Sequence, residues 1–302
     1  MPGSVAHRSP PLRVAFQGEL GPFSEEAVLQ FWGGDAELVP QREFRDVGTA
    51  LAGEEVDRAV LPVENTIVGS VQAAHEAIDA TPGIHAIAET VVAVHYCLAG
   101  PRGAGFEQVQ NVFIHAVAYG QCRRFFRSHP QLTKHAIYDT AGAVLDVANL
   151  ADPQFAAVTS RLAAERHNLD ILVADIEDRS DNQTRFLAFS REAQSLPTGT
   201  PARTMLLLTA RDTPGALLSA LLPLASHGVN VRRIETLPTG EPWSYRFFVE
   251  FDHQVGDREA EAVVREVAER AHEVRLLGTY ARWQAGRRGS IGWKADQLPE
   301  LR

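Results

Sequence analysis

The segment DNQTRF, residues 181–186, places a hydroxyl and a guanidinium side by side where a loop runs into an apolar strand. The hydroxyl of Thr184 and the guanidinium of Arg185 are both hydrogen-bond donors that could contact a ligand. Successive side chains of an extended strand face opposite ways, so both reach one ligand only if the chain enters the strand irregularly. The alternative is an ordinary strand threonine followed by a surface charge.

Two further segments put small polar side chains at the ends of predicted strands, where open α/β folds bind ligands. In LPVENTIVGSV, residues 61–71, the side chains of Glu64, Asn65 and Thr66 precede Gly69 at a predicted helix start. They bind a ligand or satisfy the backbone of their own loop. In FQGELGPFSEEA, residues 16–27, two glycines permit a tight turn and Ser24 stands at the predicted N-cap, either to hold an anion beside backbone N–H groups or to cap the helix.

The elements that carry these segments alternate between short β-rich runs and helical runs from Leu12 onward, and the alternation restarts after IHAIAETVVAVHYCLAG, residues 84–100. This predicts an α/β protein with two lobes. The segment 191–203 is rich in turn-forming residues and is typical of a linker, and the pattern after it predicts a ferredoxin-like βαββαβ unit. We expect a first lobe at about 12–100 plus 184–190, a second lobe at about 101–183, the βαββαβ unit at 204–282 and a tail at 283–302.

The composition narrows the class of protein. The formal net charge of −9, without a long Lys/Arg run, argues against nucleic acid and anionic membrane as partners. Cys97 and Cys122 are too few and too far apart for a disulfide framework or a CxxC metal site, so we expect buried thiols and no bound metal. The N-terminal residues show no signal-peptide core and no segment has the length of a membrane span. We expect a cytoplasmic protein.

Together these segments resemble prephenate dehydratase followed by an ACT regulatory domain, over nearly all of residues 12–282. GELGPFSEEA is similar to the family's glycine-rich turn and serine, LPVENTIVGSV to its P-[IV]-E-N-S-x-x-G-x-V motif, and the stretch up to DNQTRF to the one ending in N-x-T-R-F. GALLSAL and RRIETLP resemble the ACT segments G-A-L and K-I-E-S-R-P. The resemblance implies a catalytic region like a type 2 periplasmic binding protein, with the active site in the cleft between its lobes.

The resemblance also implies a reaction, in which prephenate loses carbon dioxide and water to give phenylpyruvate in L-phenylalanine biosynthesis. This carbon–oxygen lyase chemistry needs no cofactor. Thr184 is implied as the donor to the departing ring hydroxyl, Arg185 as the partner of the pyruvyl carboxylate, and Glu64 as a residue that orients its neighbours. Phe186 is implied as an apolar wall beside the ring. The other implied site residues are catalytic Asn65 and Gln121 and substrate-binding Ser24, Thr66, Gly69 and Thr140.

The chain departs from the family at several positions. Ile114 and Ala116 stand where serine and proline flank the family's histidine, and Asp139 and Gln183 replace a serine and a threonine. His115 is kept, either to orient a loop or to cap the helix that follows. These changes bear on substrate preference more than on fold.

In relatives, phenylalanine binds between the ACT units of paired subunits, which implies a homodimer or homotetramer with L-phenylalanine as effector. The residues implied are Gly215, Ala216, Leu217, Asn230, Glu235 and Thr236, although Thr236 and Leu237 replace a serine and an arginine of the family. Three other functions remain open: an arogenate dehydratase, a prephenate decarboxylase that does not aromatise the ring, and an amino-acid sensor without catalysis. Retention of Thr184 disfavours the second, and the intact NQTRF disfavours the third.

Overall fold

The computed structural model describes residues 11–21, 23–137 and 140–284, without the side chains of residues 140–142. These residues form two lobes and a C-terminal unit, as the sequence predicts. The predicted tail lies outside the described residues from residue 285 onward. Within the described ranges, no helix is both long enough and apolar enough to cross a membrane.

The first lobe contains β1 (Arg13–Gln17), α1 (Phe23–Trp32), β2 (Glu37–Gln41), α2 (Phe44–Ala52), β3 (Arg58–Asn65), β4 (Gly69–Ser70), α3 (Gln72–Ala80), β5 (His85–Ala93) and β11 (Gln183–Ser190). Strand β1 pairs in parallel with β2 and β3, and β11 returns from the second lobe to lie antiparallel between β3 and β5. The nearly unbroken apolar run of β3 is typical of a strand that is covered on both faces. This pairing sets Thr184 directly opposite Asn65.

The second lobe contains β6 (Cys97–Gly100), β7 (Asn111–His115), α4 (Ala116–Gln121), α5 (Arg123–Ser128), β8 (Thr133–Ile137), α6 (Thr140–Leu150), β9 (Phe155–Thr159), α7 (Arg161–Arg166) and β10 (Asp170–Val173). Its sheet has the order β10-β6-β9-β7-β8. The run 84–100, predicted to lie entirely in the first lobe, divides between the two sheets. The boundary predicted at residue 100 is therefore corrected to residues 94–96, where the chain crosses between the lobes.

The C-terminal unit has the predicted βαββαβ order. It contains β12 (Pro201–Thr209), α8 (Ala216–Ser226), β13 (Val231–Pro238), β14 (Tyr245–Gln254), α9 (Arg258–Arg270) and β15 (Glu273–Ala281). The antiparallel sheet order is β13-β14-β12-β15. Because β12 begins at Pro201, the last three residues of the predicted linker belong to the sheet.

The C-terminal unit packs directly on the first lobe. Strand β15 pairs with β5 at Ala281 and Ala88, so the two sheets continue into each other. Gly278, with a φ of 151°, makes this approach possible, because a Cβ at that position would lie 2.2 Å from the carbonyl oxygen of Ala86. One apolar core contains both Ile78 of the first lobe and Phe248 of the C-terminal unit. The pairing order β15-β5-β11 leaves a single strand between the C-terminal sheet and β11.

Candidate active site

Strands β3 and β11 and helix α4 carry a chain of hydrogen-bonded side chains between the lobes. Asn65 Nδ2 donates to Asn182 Oδ1 at 2.8 Å and to Thr184 Oγ1 at 2.9 Å, and Asn182 Nδ2 donates to Gln121 Oε1 at 2.6 Å. The three amides are buried, so each hydrogen bond is expensive to leave unmade. The structure thus brings together Thr184, Asn65 and Gln121, all singled out from sequence, and adds Asn182, which the sequence analysis did not assign.

The direction of these hydrogen bonds is fixed at Asn65. Its Oδ1 accepts from the backbone N–H groups of residues 67 and 68, so its amino group must face Asn182 and Thr184. Asn182 then accepts from Asn65 and donates to Gln121, whose own amino group has no hydrogen-bond partner among the described residues. Thr184 Oγ1 accepts from Asn65, which leaves its O–H to donate elsewhere. The chain therefore presents hydrogen-bond donors at both ends, as an anionic substrate requires.

A cavity of about 140 Å³ lies against this chain. Its lining comes from the turn after β3, the end of α4 and the connection before β11: Ile67, Gly120, Gln121, Glu177, Asp178, Arg179 and Asn182. Arg179 is an exposed cation that forms a two-point pair with Asp181, from Nε to Oδ1 at 2.9 Å and from Nη2 to Oδ2 at 2.6 Å. Sequence analysis did not assign Arg179, although its position five residues before Thr184 placed it near the site.

The two acidic residues of the cavity wall are held by protein donors. Glu177 Oε1 pairs with His95 Nδ1 at 2.7 Å and its Oε2 accepts from the backbone N–H of Tyr96 at 2.9 Å. Asp178 accepts from two backbone N–H groups at the start of α5, at 3.1 and 2.7 Å. One group of side chains among the described residues has the spacing to hold a metal ion: ligand atoms of His95, Asp175 and Glu177 lie within 4.8 Å of one another. Both Glu177 oxygens already bind protein N–H groups or the imidazole.

The glycine-rich turn contacts the second lobe, and its role as an anion site stays a prediction. Ser24 lies in the first turn of α1 and is buried, so the prediction that it is the N-cap is wrong. The Gly21 N–H donates to Glu25 Oε2 at 2.7 Å, and its carbonyl accepts from the Ser160 hydroxyl of the second lobe. Gly21 has a φ of 105°, and a Cβ there would lie 2.5 Å from Ala163. Glycine permits this close contact between the lobes, and the Gly21 N–H already binds the Glu25 carboxylate.

Glu26, in the same helix turn, is a half-buried acid. Burial raises its pKa from 4.5 to about 7, although the nearby His95 opposes the shift. Glu26 therefore titrates near neutral pH. Sequence analysis did not assign it.

Other predicted residues take structural positions. Thr66 Oγ1 donates to the carbonyl of Asp181 at 3.0 Å and accepts from the N–H of Gln183 at 2.9 Å, which ties the β3 turn to the start of β11. Gly69 lies in β4, where it pairs with Asn65 of β3. The prediction that Gly69 starts a helix is therefore wrong, because α3 begins at Gln72. Phe186 is 2% exposed in the core of the first lobe and forms no cleft wall. The side chain of Thr140 lies outside the described residues.

His115 and the two cysteines also have defined positions. His115 is the N-cap of α4, with Nδ1 accepting from the N–H of Val117, which supports the capping alternative. Cys97 and Cys122 are buried free thiols as predicted, and burial raises the pKa of each to about 12. Neither thiol is therefore activated as a nucleophile at neutral pH.

Comparison with known protein families shows which family this chain belongs to. The sequence model of the family described as "Prephenate dehydratase" matches residues 14–194, more than half of the chain, and that of the ACT domain matches residues 204–269. The chain belongs to the prephenate dehydratase family. The resemblance inferred from its motifs is thereby confirmed.

Individual relatives agree with this family. "Arogenate dehydratase/prephenate dehydratase 2, chloroplastic" of Arabidopsis thaliana is 34% identical over 281 residues, which cover 89% of this chain and 72% of that protein. The crystal structure of prephenate dehydratase from Arthrobacter aurescens in complex with L-Phe superposes with a TM-score of 0.82 at 29% identity, covering 90% of both chains. GqqA, described as "a novel type of quorum quenching acylases", has the same TM-score and identity and covers 91% of this chain and 100% of its own. The predicted two-lobed fold with a C-terminal ACT domain is confirmed.

In this member of the prephenate dehydratase family, Arg185 binds carboxylates of the first lobe and of the ACT domain. Its guanidinium is 10% exposed and bonds Glu64 through Nε at 3.2 Å, Glu89 through Nη1 at 3.2 Å and Glu250 of the ACT domain through Nη2 at 2.7 Å. These carboxylates, with the hydroxyl of Tyr280, hold the pKa of Arg185 well above its usual range despite burial. All three guanidinium nitrogens are therefore occupied by protein groups. The prediction that Arg185 binds a substrate carboxylate is corrected: Thr184 and Arg185 face opposite ways, as in a regular strand.

The predicted effector residues lie at two ends of the ACT sheet. Gly215, with a φ of 80°, precedes α8 at the end of the sheet where β12 finishes. Strands β12 and β13 are both antiparallel to β14, so they run parallel to each other, and Glu235 and Thr236 lie at this same end. Ala216 and Leu217 form the first turn of α8. Asn230 precedes β13, about 17 Å from Glu235 at the rise of an extended strand. Gly215 and Asn230 therefore lie too far apart within one chain for a single amino acid to contact both.

Proposed function

We propose that the protein is a prephenate dehydratase, a carbon–oxygen lyase that converts prephenate to phenylpyruvate, carbon dioxide and water. The observation that carries this proposal is the hydrogen bond from Asn65 to Thr184 Oγ1, because it leaves the threonine O–H to donate to a bound substrate. The reaction needs a donor at this kind of position, since the ring hydroxyl is a poor leaving group.

The chemistry assigns one electron flow. The bond between the ring and its carboxylate breaks and carbon dioxide leaves, and the electron pair enters the ring. The C4–O bond breaks as the ring becomes aromatic, and the leaving hydroxyl takes a proton, supplied in net by solvent, to become water. Thr184 is a weak acid, so its contribution rests on placement and hydrogen bonding to the departing oxygen.

Carboxylate binding falls to residues other than Arg185. Arg179 lines the cavity and reaches a substrate carboxylate by exchanging its partner Asp181, since both side chains are exposed. The fixed fork of a guanidinium matches the pyruvyl carboxylate. The amino group of Gln121, oriented by Asn182, supplies a second donor.

The cavity favours prephenate over arogenate. Arogenate carries an α-ammonium where prephenate has a ketone, and an ammonium calls for an available carboxylate. The wall residues Glu177 and Asp178 already accept hydrogen bonds from backbone N–H groups. The likeness to an arogenate dehydratase/prephenate dehydratase of Arabidopsis keeps arogenate as a comparison substrate.

A second candidate is hydrolysis of an acyl amide, favoured by the likeness to GqqA and by the His95–Glu177 pair. A histidine oriented by a carboxylate can act as a general base toward water. This candidate gives no use to the Asn65–Thr184 hydrogen bond.

Regulation and assembly belong to the same proposal. L-Phenylalanine binds the ACT domain between two subunits of a homodimer or homotetramer, supported by the relative solved with L-Phe and by the separation of Gly215 from Asn230. Cytoplasmic location and independence of cofactors and metals stay predictions.

The test is turnover of matched substrates by the purified protein. Prephenate should give phenylpyruvate faster than arogenate gives phenylalanine, and an acyl amide should release no acid. Formation of phenylpyruvate no faster than the spontaneous reaction refutes the proposal, and acid release from the amide favours the second candidate.

A further inference from the structure

Arg233 of the ACT domain reaches into the first lobe beneath the candidate active site. Its side chain is 10% exposed, and it lies on the face of β13 that meets the first lobe. Nη2 donates to the carbonyl of Val63 at 3.2 Å and to the Ser70 hydroxyl, and Nη1 lies 3.0 Å from His75 Nε2. These contacts come from three places in one lobe, so a single side chain joins them.

Two of these partners belong to the hairpin that carries Asn65. Val63 lies in β3 and Ser70 in β4, which pair on either side of the turn after Asn65. Glu64, whose Oε2 lies 4.0 Å from Arg233 Nε, pairs with Ser70 in the same hairpin. Arg233 therefore binds both strands of the hairpin that sets the Asn65 amide against Thr184.

The imidazole partner strengthens this contact. His75 Nδ1 lies 3.0 Å from the carbonyl of Val71, which assigns the proton to Nδ1 and leaves Nε2 as the acceptor for Arg233. Burial, with the charge of Arg233, lowers the pKa of His75 to about 4. The ring is neutral at physiological pH and accepts the guanidinium N–H.

The same Nη2 atom of Arg233 also lies near a predicted effector residue. Glu235 Oε2 lies 3.4 Å from Arg233 Nη2, two residues along the same strand. A free amino acid presents an α-ammonium that can pair with the Glu235 carboxylate. Such a ligand would compete with the guanidinium for Glu235 and alter the restraint on the hairpin.

We propose that Arg233 is a positioning residue that couples amino-acid binding at Glu235 to the placement of Asn65 in the cleft. This inference rests on the proposed function, since it needs both prephenate turnover and an effector. The hairpin of β3 and β4 is the element that both sites bias. Coupling between an effector and a substrate site is typically about 5- to 150-fold.

The chain offers a matched control in the adjacent arginine. Arg232 is 48% exposed and pairs with Asp252 of the ACT sheet. Arg233→Met and Arg232→Met thus remove the same charge from neighbouring positions. Arg233→Lys keeps the buried charge but cannot reach all its partners, and it serves if the methionine variant fails to fold.

The experiment measures phenylalanine binding by calorimetry and kcat/KM for prephenate with and without saturating phenylalanine. In Arg233→Met we expect phenylalanine to bind within several-fold of wild type while the ratio of the two kcat/KM values falls to within about twofold of one. Arg233→Lys should lose most of the coupling, and Arg232→Met should keep it.

If Arg233→Met or Arg233→Lys keeps the wild-type ratio of kcat/KM with and without phenylalanine, the coupling role of Arg233 is wrong. The proposed function is unaffected by that result. A wild-type protein that turns over prephenate but neither binds nor responds to phenylalanine overturns the inference and the effector assignment. Failure of the wild-type protein to turn over prephenate overturns the proposed function as well.

Discussion

Replacing Asn182 by aspartate reverses one link of the hydrogen-bond chain, the one to Gln121, without changing the shape of the side chain. Aspartate still accepts from Asn65, but its second oxygen then faces Gln121 Oε1 at the 2.6 Å now spanned by a donor and an acceptor. The Gln121 amide must rotate to donate, and its carbonyl then faces the substrate. An anionic substrate loses one hydrogen bond to a charged group, worth about 1.5–3 kcal/mol, which corresponds to a fall in kcat/KM of about 10- to 150-fold.

The pH dependence of this variant separates positioning from general disruption. Asn182 is 1% exposed, so a carboxyl there should have a raised pKa. Its protonated form accepts from Asn65 and donates to Gln121, as the native amide does. We therefore expect Asn182→Asp to recover activity as the pH falls from about 9 to about 6, while Asn182→Ala stays impaired throughout.

The assay is initial-rate formation of phenylpyruvate across this pH range, corrected for spontaneous breakdown of prephenate. Circular dichroism and thermal unfolding show whether each variant is folded. Parallel pH profiles for Asn182→Asp and Asn182→Ala, or wild-type kcat/KM for Asn182→Asp at high pH, would refute the directional chain.

Two further variants test single assignments. Arg179→Gln should raise KM for prephenate by about 10-fold or more with kcat little changed, because the lost carboxylate contact exists before the transition state, and an unchanged KM removes Arg179 from the site. Glu26→Gln should increase the free energy of unfolding by about 1–2 kcal/mol at pH 8 and leave it unchanged near pH 4, measured by denaturant unfolding. The sign follows from the two pKa values of Glu26, about 7 in the folded protein and 4.5 in the unfolded chain. The contribution of the carboxyl to the free energy of unfolding is therefore complete below pH 4.5 and is lost as the pH rises through 7. The full shift corresponds to about 3 kcal/mol, which partial exposure reduces. Equal effects at both pH values would show that Glu26 titrates normally.

The fold could be predicted from sequence because local patterns decide it. The apolar run of β3, the helical runs and the βαββαβ order are all local signals, and the structure has them at the predicted places. The lobe boundary was missed because residues 84–100 form one apolar run, and its division between two sheets depends on pairing with distant strands. Sequence periodicity carries no information on that pairing.

The family resemblance implied Thr184, Asn65 and Gln121, which the structure brings together, but it did not imply Asn182, whose role depends on long-range partners. Asn182 contacts Asn65 and Gln121 across 117 and 61 residues, so its place in the chain could not be read locally. A signal against Arg185 as a ligand did exist. Glu89 and Glu250 stand inside apolar strand runs, and a charge buried in this way requires an opposite charge.

The most direct test of the central claim compares Thr184→Val with Thr184→Ser in prephenate turnover. Valine keeps the branched shape but removes the hydroxyl that accepts from Asn65, whereas serine keeps it. We predict that kcat falls at least ~10²-fold in Thr184→Val with KM within a few-fold of wild type, and that Thr184→Ser retains most of the activity. A kcat for Thr184→Val within a few-fold of that for Thr184→Ser would contradict the role of the Thr184 hydroxyl in departure of the ring oxygen.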